Sequence, residues 1–410
     1  MTATELPAVS PRVNLSQILA QPITSAGFGP PPQNLPATTI RLVGGVPADE
    51  ALPTAQFAQA FSHVFANSSG GAAALQYSVA TGIEPLRHWV ADREGANPAD
   101  VLITNGALHG LSLVFAALLD PGDLVAVESP TFPVALRVLD HYGAQLLPVR
   151  SESGRLDLDR FESRLRSGVI PKLFYLIPDF QNPTGTTLAG ADRVRLVELA
   201  ERYGFVLVSD NPYHELRFRG QHIDDLDLGS DRVVHVNTFS KTLGPGLRLG
   251  WTISAPWLRD SQVRLRSNLD QHSSLVTQSA VAQLLAQPGS FDAIVTNARE
   301  LYRDRADSLA VSLTERLGDL ISIPQAEGGI FAWARITDPS LDLAEVRLEA
   351  NRLGVEFSLG RYFDPARSGL HTDNLRLGFS NRTVEELEIG AGLIAVAVHS
   401  LRARQHQRRD

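Results

Sequence analysis

The stretch that decides the fold is NTFSKTLGPGLRLGW, residues 237–251, which joins two short apolar runs. Lys241 in this stretch is one of only two lysines among the 37 basic side chains. Arginine stays protonated in proteins, whereas a desolvated lysine amine can lose its proton and attack a carbonyl carbon. The hydroxyls of Thr238 and Ser240 and the charge of Arg248 suit a phosphate beside the amine. The stretch therefore favours a lysine that can react with a carbonyl carbon beside a phosphate, with a solvated loop charge as the alternative.

The composition limits the classes of protein to which the chain can belong. Its 410 residues, 43% of them apolar, are enough for two or three domains. The formal charge of −8 provides no basic surface, so nucleic acid is not expected as a partner. The absence of cysteine excludes disulfides, thiolate metal sites and a cysteine nucleophile. We expect no metal site.

The hydropathy pattern bears on where the protein works. The first residues, MTATELPAVSPRV, lack a basic start followed by an apolar stretch, so no signal peptide is expected. There is no apolar run of about 18 residues that would cross a bilayer. These features predict a soluble cytoplasmic protein without membrane contacts.

The middle of the chain alternates short β-branched runs with helical stretches. Such alternation is typical of an α/β fold with a mostly parallel sheet covered by helices on both faces. Helices are predicted at residues 106–119 and 191–203, where apolar residues recur at helical spacing. The seven predicted strands are residues 101–104, 124–127, 145–149, 173–177, 206–209, 233–237 and 249–253.

The remaining chain divides into two further parts. A long helix at 290–316 precedes short strands and two more helices, which together predict a smaller α+β domain. Residues 21–36 are too rich in proline and glycine for a regular element. The predicted division is an N-terminal arm and active-site segment at 1–50, a large cofactor-binding domain at 51–290 and a small domain at 291–410.

Four separate motifs carry a resemblance to a known family. In chain order they are PDFQNPTG at 178–185, SDNPYHELRF at 209–218, SKTLGPGLRLGW at 240–251 and NLRLGFS at 374–380. Together they resemble the class I/II aminotransferases, fold-type I enzymes that use pyridoxal 5′-phosphate, and in particular the 2-aminoadipate and aromatic aminotransferase branch. The similarity runs from about Tyr77 to the C-terminus. It implies a large and a small domain and a homodimer with shared active sites.

The resemblance assigns the reacting groups. Lys241 matches the lysine that forms a Schiff base with the cofactor and then moves the substrate's proton. Asp210 matches the acid that faces the pyridine nitrogen, and its place at the tip of a buried strand calls for a cation opposite it; a helix N-cap is the alternative. Tyr213 and Asn182 match the residues that bond the cofactor's phenolic oxygen, although Asn182 also stands in a strong turn signal.

The resemblance also places the phosphate. The start of a helix offers main-chain N–H groups to an anion. Many relatives have a hydroxyl or amide side chain where this chain has Ala107 and Leu108, so we expect these two positions to bind through their main chain. The predicted phosphate-binding residues are Gly106, Ala107, Leu108, Thr238, Ser240 and Arg248.

The remaining site predictions concern the ring and the substrate. Phe132 matches the aromatic residue that stacks on the pyridine ring, with core packing as the alternative. Tyr77 matches a tyrosine that reaches the phosphate of the neighbouring subunit, unless it packs inside its own. Arg376 matches the arginine that binds the substrate's α-carboxylate, beside Asn182. Gly45 lets the main chain approach the substrate closely.

The reaction predicted from this resemblance is transamination between an α-amino acid and a 2-oxo acid. The same cofactor also supports elimination, cyclisation or oxidation of an amino acid in biosynthetic enzymes, which is the first alternative. A regulatory protein descended from an aminotransferase is the second, although no winged-helix stretch precedes Tyr77. Dicarboxylic, aromatic and branched substrates all stay open.

Overall fold

The structure is a computed structural model that describes residues 27–29, 35–66 and 68–407. Most of the proline-rich stretch at 21–36 and of the predicted N-terminal arm lies outside the described residues, as do the last three residues of the chain. None of the described helices is long and apolar enough to span a membrane. The cytoplasmic location stays a prediction.

The strands are short and spread along the whole chain. They are β1 (Ile40–Arg41), β2 (Val101–Thr104), β3 (Leu124–Ser129), β4 (Gln145–Glu152), β5 (Arg155–Leu156), β6 (Leu173–Leu176), β7 (Val206–Asp210), β8 (Val233–Thr238), β9 (Gly250–Ile253), β10 (Ile321–Ser322), β11 (Phe331–Ile336), β12 (Val355–Glu356), β13 (Ser358–Leu359) and β14 (Asn374–Gly378).

The α-helices connect and cover these strands. They are α1 (Thr54–Val64), α2 (Ser68–Ala74), α3 (Glu84–Glu94), α4 (Ala107–Leu118), α5 (Pro133–His141), α6 (Leu158–Arg166), α7 (Gly190–Tyr203), α8 (Pro256–Leu269), α9 (Leu275–Leu285), α10 (Ser290–Leu317), α11 (Leu343–Leu353) and α12 (Val384–Gln407).

The large sheet confirms the predicted α/β fold. Its strand order is β2-β9-β8-β7-β6-β3-β4-β5, with parallel pairing from β8 through to β4 and antiparallel pairing elsewhere. All seven predicted strands are present. The eighth, β5, was not predicted because it has only two residues and depends on the turn at Ser153 and Gly154. Both turn residues have positive φ, as hairpin turns of this kind require.

Both faces of the large sheet are buried. In β6, Leu173 and Tyr175 belong to one apolar cluster, whereas Phe174 and Leu176 belong to another. Side chains alternate between the two faces of a strand, so a strand that is apolar throughout lies between two layers of packing. The helices on each side supply those layers. The polar residues that follow such strands are therefore gathered at the sheet edge.

A second, antiparallel sheet has the order β10-β11-β14-β13, and the helices that pack together beside it are α10, α11 and α12. This matches the predicted α+β region, and α10 begins at Ser290. The three-part division of the chain stays a prediction. The segment before residue 50 joins this region, because β1 pairs with β12 and the Gly378 N–H donates to the Leu42 carbonyl at 2.7 Å.

Candidate active site

A cavity of about 380 Å³ lies at the carboxyl edge of the large sheet. Strands β6, β7 and β8 run parallel, so the residues that follow them meet at this edge, and β14 of the second sheet contributes from the other side. Gly106 and Tyr77 do not line the cavity. The predicted site residues that do line it are Gly45, Ala107, Leu108, Phe132, Asn182, Asp210, Tyr213, Thr238, Ser240, Lys241, Arg248 and Arg376.

Lys241 ends a short 3-10 turn directly after β8. Its Nζ donates a hydrogen bond of 2.5 Å to the carbonyl oxygen of Gly45. Burial lowers the pKa of the amine to about 8; the Asp210 carboxylate opposes this shift, while the cations of Arg376 and Arg248 add to it. A substantial share of the amine is therefore neutral near physiological pH, as nucleophilic attack requires.

Asp210 ends β7 and is 4% exposed. Its Oδ2 accepts a hydrogen bond of 2.8 Å from the Tyr175 hydroxyl, whereas its Oδ1 is buried and meets no donor in the part of the chain that the structure describes. Burial raises the pKa of Asp210 to about 6, against the opposing effects of Tyr175, His235 and Lys241. A buried acceptor without a donor fits a protonated ring nitrogen, which would supply both the hydrogen bond and the charge. The Asp210 side chain accepts from no N–H of a helix among the described residues, so it is not an N-cap.

Tyr213 and Asn182 form the next part of the wall. Both are almost fully buried. Burial raises the pKa of the Tyr213 hydroxyl, and the charge of Asp210 adds to this, while Arg376 and a hydrogen bond with Asn182 oppose it. Asn182 lies in the turn closed by the hydrogen bond from Gly185 N–H to the Gln181 carbonyl. Asn182 therefore serves the turn and the cavity at once.

Arg376 is the most enclosed cation of the cavity, at 2% exposure. Its Nη1 donates to Asn182 Oδ1 at 2.7 Å and its Nη2 to the Val43 carbonyl at 2.9 Å. The Nε has no acceptor, and no acidic side chain pairs with the guanidinium among the described residues. Burial lowers the pKa of Arg376 to about 10. A buried cation with a spare donor fits a carboxylate ligand.

Three aromatic rings surround this guanidinium. The distances from Cζ of Arg376 to the ring centroids are 4.1 Å for Phe331, 4.9 Å for Phe363 and 5.1 Å for Phe28. The negative faces of aromatic rings attract a cation and exclude water from it. The rings therefore hold the guanidinium in place and strengthen its interaction with an anion.

The predicted phosphate cup lies where α4 begins. Gly106 precedes the helix with φ 91° and ψ 167°, and a Cβ on it would lie 2.8 Å from Nη2 of Arg248. The N–H groups of Gly106, Ala107 and Leu108 have no acceptor in the described structure. The hydroxyls of Thr238 and Ser240 lie 2.9 Å apart on the other side of the cavity. The Thr238 hydroxyl donates to the Leu249 carbonyl at 2.8 Å, so the N–H groups and the Ser240 hydroxyl are the donors that suit an anion at this helix N-terminus.

Phe132 and Tyr77 differ in their surroundings. Phe132 is half-buried and lines the cavity, with its ring centroid 6.3 Å from that of Phe28. Tyr77 is 82% exposed, and its ring contacts the edge of His272 with centroids 5.9 Å apart. Tyr77 is therefore not packed inside its own subunit and does not reach the cavity of its own chain.

Several supporting residues were missed in the sequence. The hydroxyl of Tyr175 holds Asp210, and the signal for it is a tyrosine inside the otherwise apolar strand β6, where a buried hydroxyl needs a partner. The roles of Phe331 and Phe363 have no local signal, because these residues lie on other segments than Arg376 and no periodicity of the sequence relates them to it. Phe28, in the proline-rich stretch, was given no role from the sequence, and the structure places its ring over Arg376.

One cluster of metal-ligand type was also not expected. Glu94, Asp225 and His235 each place one ligand atom within 4.8 Å of the others. The two closest partners are His235 Nε2 and Glu94 Oε2, 3.3 Å apart. Burial disfavours the charged imidazole, but Glu94 and Asp225 outweigh it and raise the pKa of His235. Asn237 donates to Glu94 at 3.0 Å, and these contacts account for the cluster as a buried ion pair.

Similarity to known proteins extends over nearly the whole chain. Residues 45–394 match the family described as aminotransferase class I and II. The chain is 30% identical over 372 residues to aromatic-amino-acid aminotransferase 1 of Thermococcus litoralis, a match that covers 88% of each protein. It is also 30% identical over 397 residues to 2-aminoadipate transaminase of Thermus thermophilus, covering 92% of this chain and 98% of that relative.

The fold is that of a solved aminotransferase. The structure of LysN, the α-aminoadipate aminotransferase of Thermus thermophilus complexed with N-(5′-phosphopyridoxyl)-L-leucine, matches with a TM-score of 0.85 and 29% identity. The match covers 95% of this chain and 98% of that one. The predicted family, enzymatic activity and cofactor are thereby confirmed. The chain belongs to the class I and II aminotransferases, which use pyridoxal phosphate to transfer amino groups between amino acids and 2-oxo acids.

Proposed function

We propose that the amino transfer takes place in the cavity around Lys241 and that the residues predicted from the sequence divide the work between cofactor and substrate. One observation carries this proposal. A lysine amine of lowered pKa, a buried carboxylate oxygen without a donor on Asp210 and a buried cation without an acidic partner at Arg376 share a single cavity among the described residues. Each lacks the partner that the cofactor or the substrate would supply.

The residues of the cavity fit pyridoxal phosphate at both of its ends. The phosphate would be held by the free N–H groups at the start of α4, by Thr238 and Ser240, and by the charge of Arg248. The ring nitrogen would donate to Oδ1 of Asp210, with the ring between Phe132 and the opposite wall. When bound, the cofactor supplies an aldehyde and an electron-withdrawing ring that stabilises negative charge on the substrate carbon.

Lys241 holds and moves the proton. Its amine, with the pKa lowered to about 8, can accept a proton from the substrate carbon and return it to another position. The Gly45 carbonyl, which accepts from Nζ at 2.5 Å, holds the amine at the cavity wall when it is protonated. Tyr213 lies beside it, with its ring centroid 5.9 Å from Nζ.

Arg376 orients the substrate. A guanidinium that binds the α-carboxylate at two points leaves the bond from Cα to hydrogen as the one that faces Lys241. This geometry favours the reactions that begin with loss of the Cα proton, transamination among them, over loss of the carboxylate. The donors available for the carboxylate are the unpaired Nε–H and the second N–H of each Nη, since the first N–H of each is bonded to Asn182 or to Val43.

The second part of the proposal is that two copies of the chain share their active sites. Tyr77, at 82% exposure, stands among further exposed apolar residues, Leu75 at 71% and Val79 at 58%. Contiguous exposed apolar side chains favour burial against a partner. If a second copy covers them, the Tyr77 hydroxyl of the first copy would reach the phosphate site of the second. Each site would then need residues from both subunits.

The experiment that tests the chemistry compares the two lysines. Lys241→Ala and Lys172→Ala are mixed with a panel of amino acids, and the absorbance of the bound cofactor is followed before and after addition of a 2-oxo acid. Lys172 is exposed and serves as the control. We expect the Lys172 variant to cycle as the unsubstituted protein does and the Lys241 variant to stop. A change in the absorbance of the bound cofactor on addition of the amino acid that the 2-oxo acid does not restore would contradict transamination.

Shared sites are tested by complementation. Tyr77→Ala and Lys241→Ala are each expected to be weakly active or inactive. Co-expressed, they form mixed dimers in which one of the two sites has both an intact tyrosine and an intact lysine, so activity should return. If co-expression restores nothing although light scattering shows dimers, the sites are not shared through Tyr77.

A further inference from the structure

The turn that precedes α4 is held by an unusual number of side chains. Asn105 is bonded at three places: its carbonyl accepts from Nη2 of Arg248 at 2.9 Å, its side-chain amide donates to Asp270 at 2.5 Å, and its N–H donates to Nδ1 of His109 at 3.0 Å. The next carbonyl, that of Gly106, accepts from the Thr104 hydroxyl at 3.0 Å. The peptide groups around the phosphate cup are thus oriented by bonds that leave its N–H groups free.

The bond to His109 resembles one half of a capping box, in which a side chain accepts from a backbone N–H at the start of the helix. Gly106 is the N-cap, so His109 is the third residue of α4, the position from which a glutamate or glutamine side chain reaches back in a capping box. Here the imidazole reaches one residue further, to the N–H of Asn105. Because Nδ1 accepts, the imidazole must be neutral with its proton on Nε2.

The surroundings of His109 favour that neutral form. Burial lowers the pKa of His109, and the charge of Arg266 adds to this, while Asp270 opposes it. Nε2 lies 3.8 Å from Oδ2 of Asp270, the oxygen that also accepts from the Asn105 side-chain amide. Asp270 in turn is bonded by Arg266, whose side chain is fully buried and also donates to the Ile103 carbonyl. The turn, the imidazole and the ion pair of Arg266 with Asp270 are therefore in contact with one another.

The residues predicted to bind the phosphate at the start of α4 lack side-chain donors. Ala107 and Leu108 have no side-chain donor, so at these positions an anion can be bound only by main-chain N–H groups. A main-chain donor can be aimed only by fixing the peptide groups on either side of it. We propose that His109 is a positioning residue which, as a neutral acceptor for the Asn105 N–H, orients the N–H groups of Gly106, Ala107 and Leu108 toward the cofactor phosphate.

The consequence is a separation between the two ends of the cofactor. Removal of the His109 acceptor should weaken binding of the phosphate and leave the reaction of Lys241 with the aldehyde unchanged. One hydrogen bond in such a place corresponds to about a five- to tenfold change in a dissociation constant. The inference rests on the proposed cofactor site and not on which amino acid the enzyme uses.

The test measures binding to the cofactor-free full-length protein, without any amino acid present. Dissociation constants are determined for pyridoxal phosphate and for pyridoxal, which has the same aldehyde and ring but no phosphate. The variants are His109→Leu, which removes the acceptor, and His109→Gln, which keeps an acceptor oxygen at this helix position. His88→Leu, at an exposed histidine of α3, is the matched control.

We expect His109→Leu to raise the dissociation constant of pyridoxal phosphate about five- to tenfold and to leave that of pyridoxal unchanged. His109→Gln and His88→Leu should bind both as the unsubstituted protein does. The proposal is overturned if His109→Leu binds pyridoxal phosphate normally, if it weakens both ligands alike, or if glutamine fails to restore binding. Thermal unfolding of each cofactor-free variant checks the fold, and His109→Met replaces the leucine variant if that one does not fold.

Discussion

Replacing Arg376 by methionine tests the most specific feature of the site, a buried cation without an acidic partner among the described residues. Methionine keeps an unbranched side chain among the aromatic rings and removes every donor. A charge-assisted hydrogen bond contributes about 1.5–3 kcal/mol, so the loss of a two-point contact with the substrate carboxylate should cost about 3–4 kcal/mol of transition-state binding. The expected fall in kcat/KM is about 10²- to 10³-fold.

The stability of the cofactor-free protein should change little, because two effects oppose each other. Burial lowers the pKa of Arg376 to about 10, so the buried charge costs roughly 3 kcal/mol that methionine removes. The substitution also removes the hydrogen bonds to Asn182 Oδ1 and the Val43 carbonyl, which contribute about 1–1.5 kcal/mol each. We expect the midpoint of thermal unfolding to move by only a few degrees.

The assay compares an α-amino acid with the matching primary amine, which has the same side chain but no carboxylate. Arg376→Met should lose most of its activity toward the amino acid and keep its low activity toward the amine. Arg335→Met, at an exposed arginine of the neighbouring strand β11, is the control and should leave both unchanged. An equal loss with both substrates, or a loss of less than about tenfold with the amino acid, would refute the assignment.

Three further changes have expected outcomes. Tyr175→Phe removes a hydrogen bond to the buried aspartate and should raise the acidic limb of the pH–rate profile by about one pH unit, whereas Tyr142→Phe, which removes a bond to a main-chain carbonyl elsewhere, should not. Gly106→Ala adds a Cβ in a backbone region that only glycine adopts readily and should lower stability by about 1–3 kcal/mol and weaken cofactor binding; Gly95→Ala, where a Cβ meets nothing, should weaken no binding. The rate at which the cofactor-free protein captures pyridoxal phosphate should rise with pH through about 8 and then level off, because only the neutral Lys241 amine reacts; a rate that is flat from about pH 6 to 9 would contradict the lowered pKa.

The sequence was informative wherever a local pattern records burial. A strand such as β7 must be apolar throughout because both of its faces are covered, and a charged residue at its end is then conspicuous, which is how Asp210 was found. The long helix α10 and the strands β11 and β14 of the second sheet were also predicted from local patterns, whereas the two-residue β10 was not. The two-residue strand β5 was missed because it depends on a turn and not on periodicity.

The contacts between distant residues were beyond the reach of such patterns. Arg376 and Asn182 are 194 positions apart in the chain, and Lys241 and Gly45 are 196 apart, yet each pair is joined by a hydrogen bond. Nothing near Arg376 in the sequence indicates that Phe28 and Phe363 enclose it. Such contacts follow from how the two sheets are placed, which no local pattern encodes.

The amino-acid sequence by itself predicted the chemistry that is available: a reactive amine, an acid for a ring nitrogen, a loop for a phosphate and an arginine for a carboxylate, each within a motif of its own. Only the tertiary structure determined the pKa values of these groups. Burial lowers the pKa of Lys241, raises that of Asp210 and lowers that of Arg376, because removal from water penalises the charged form of each group unless a partner is present.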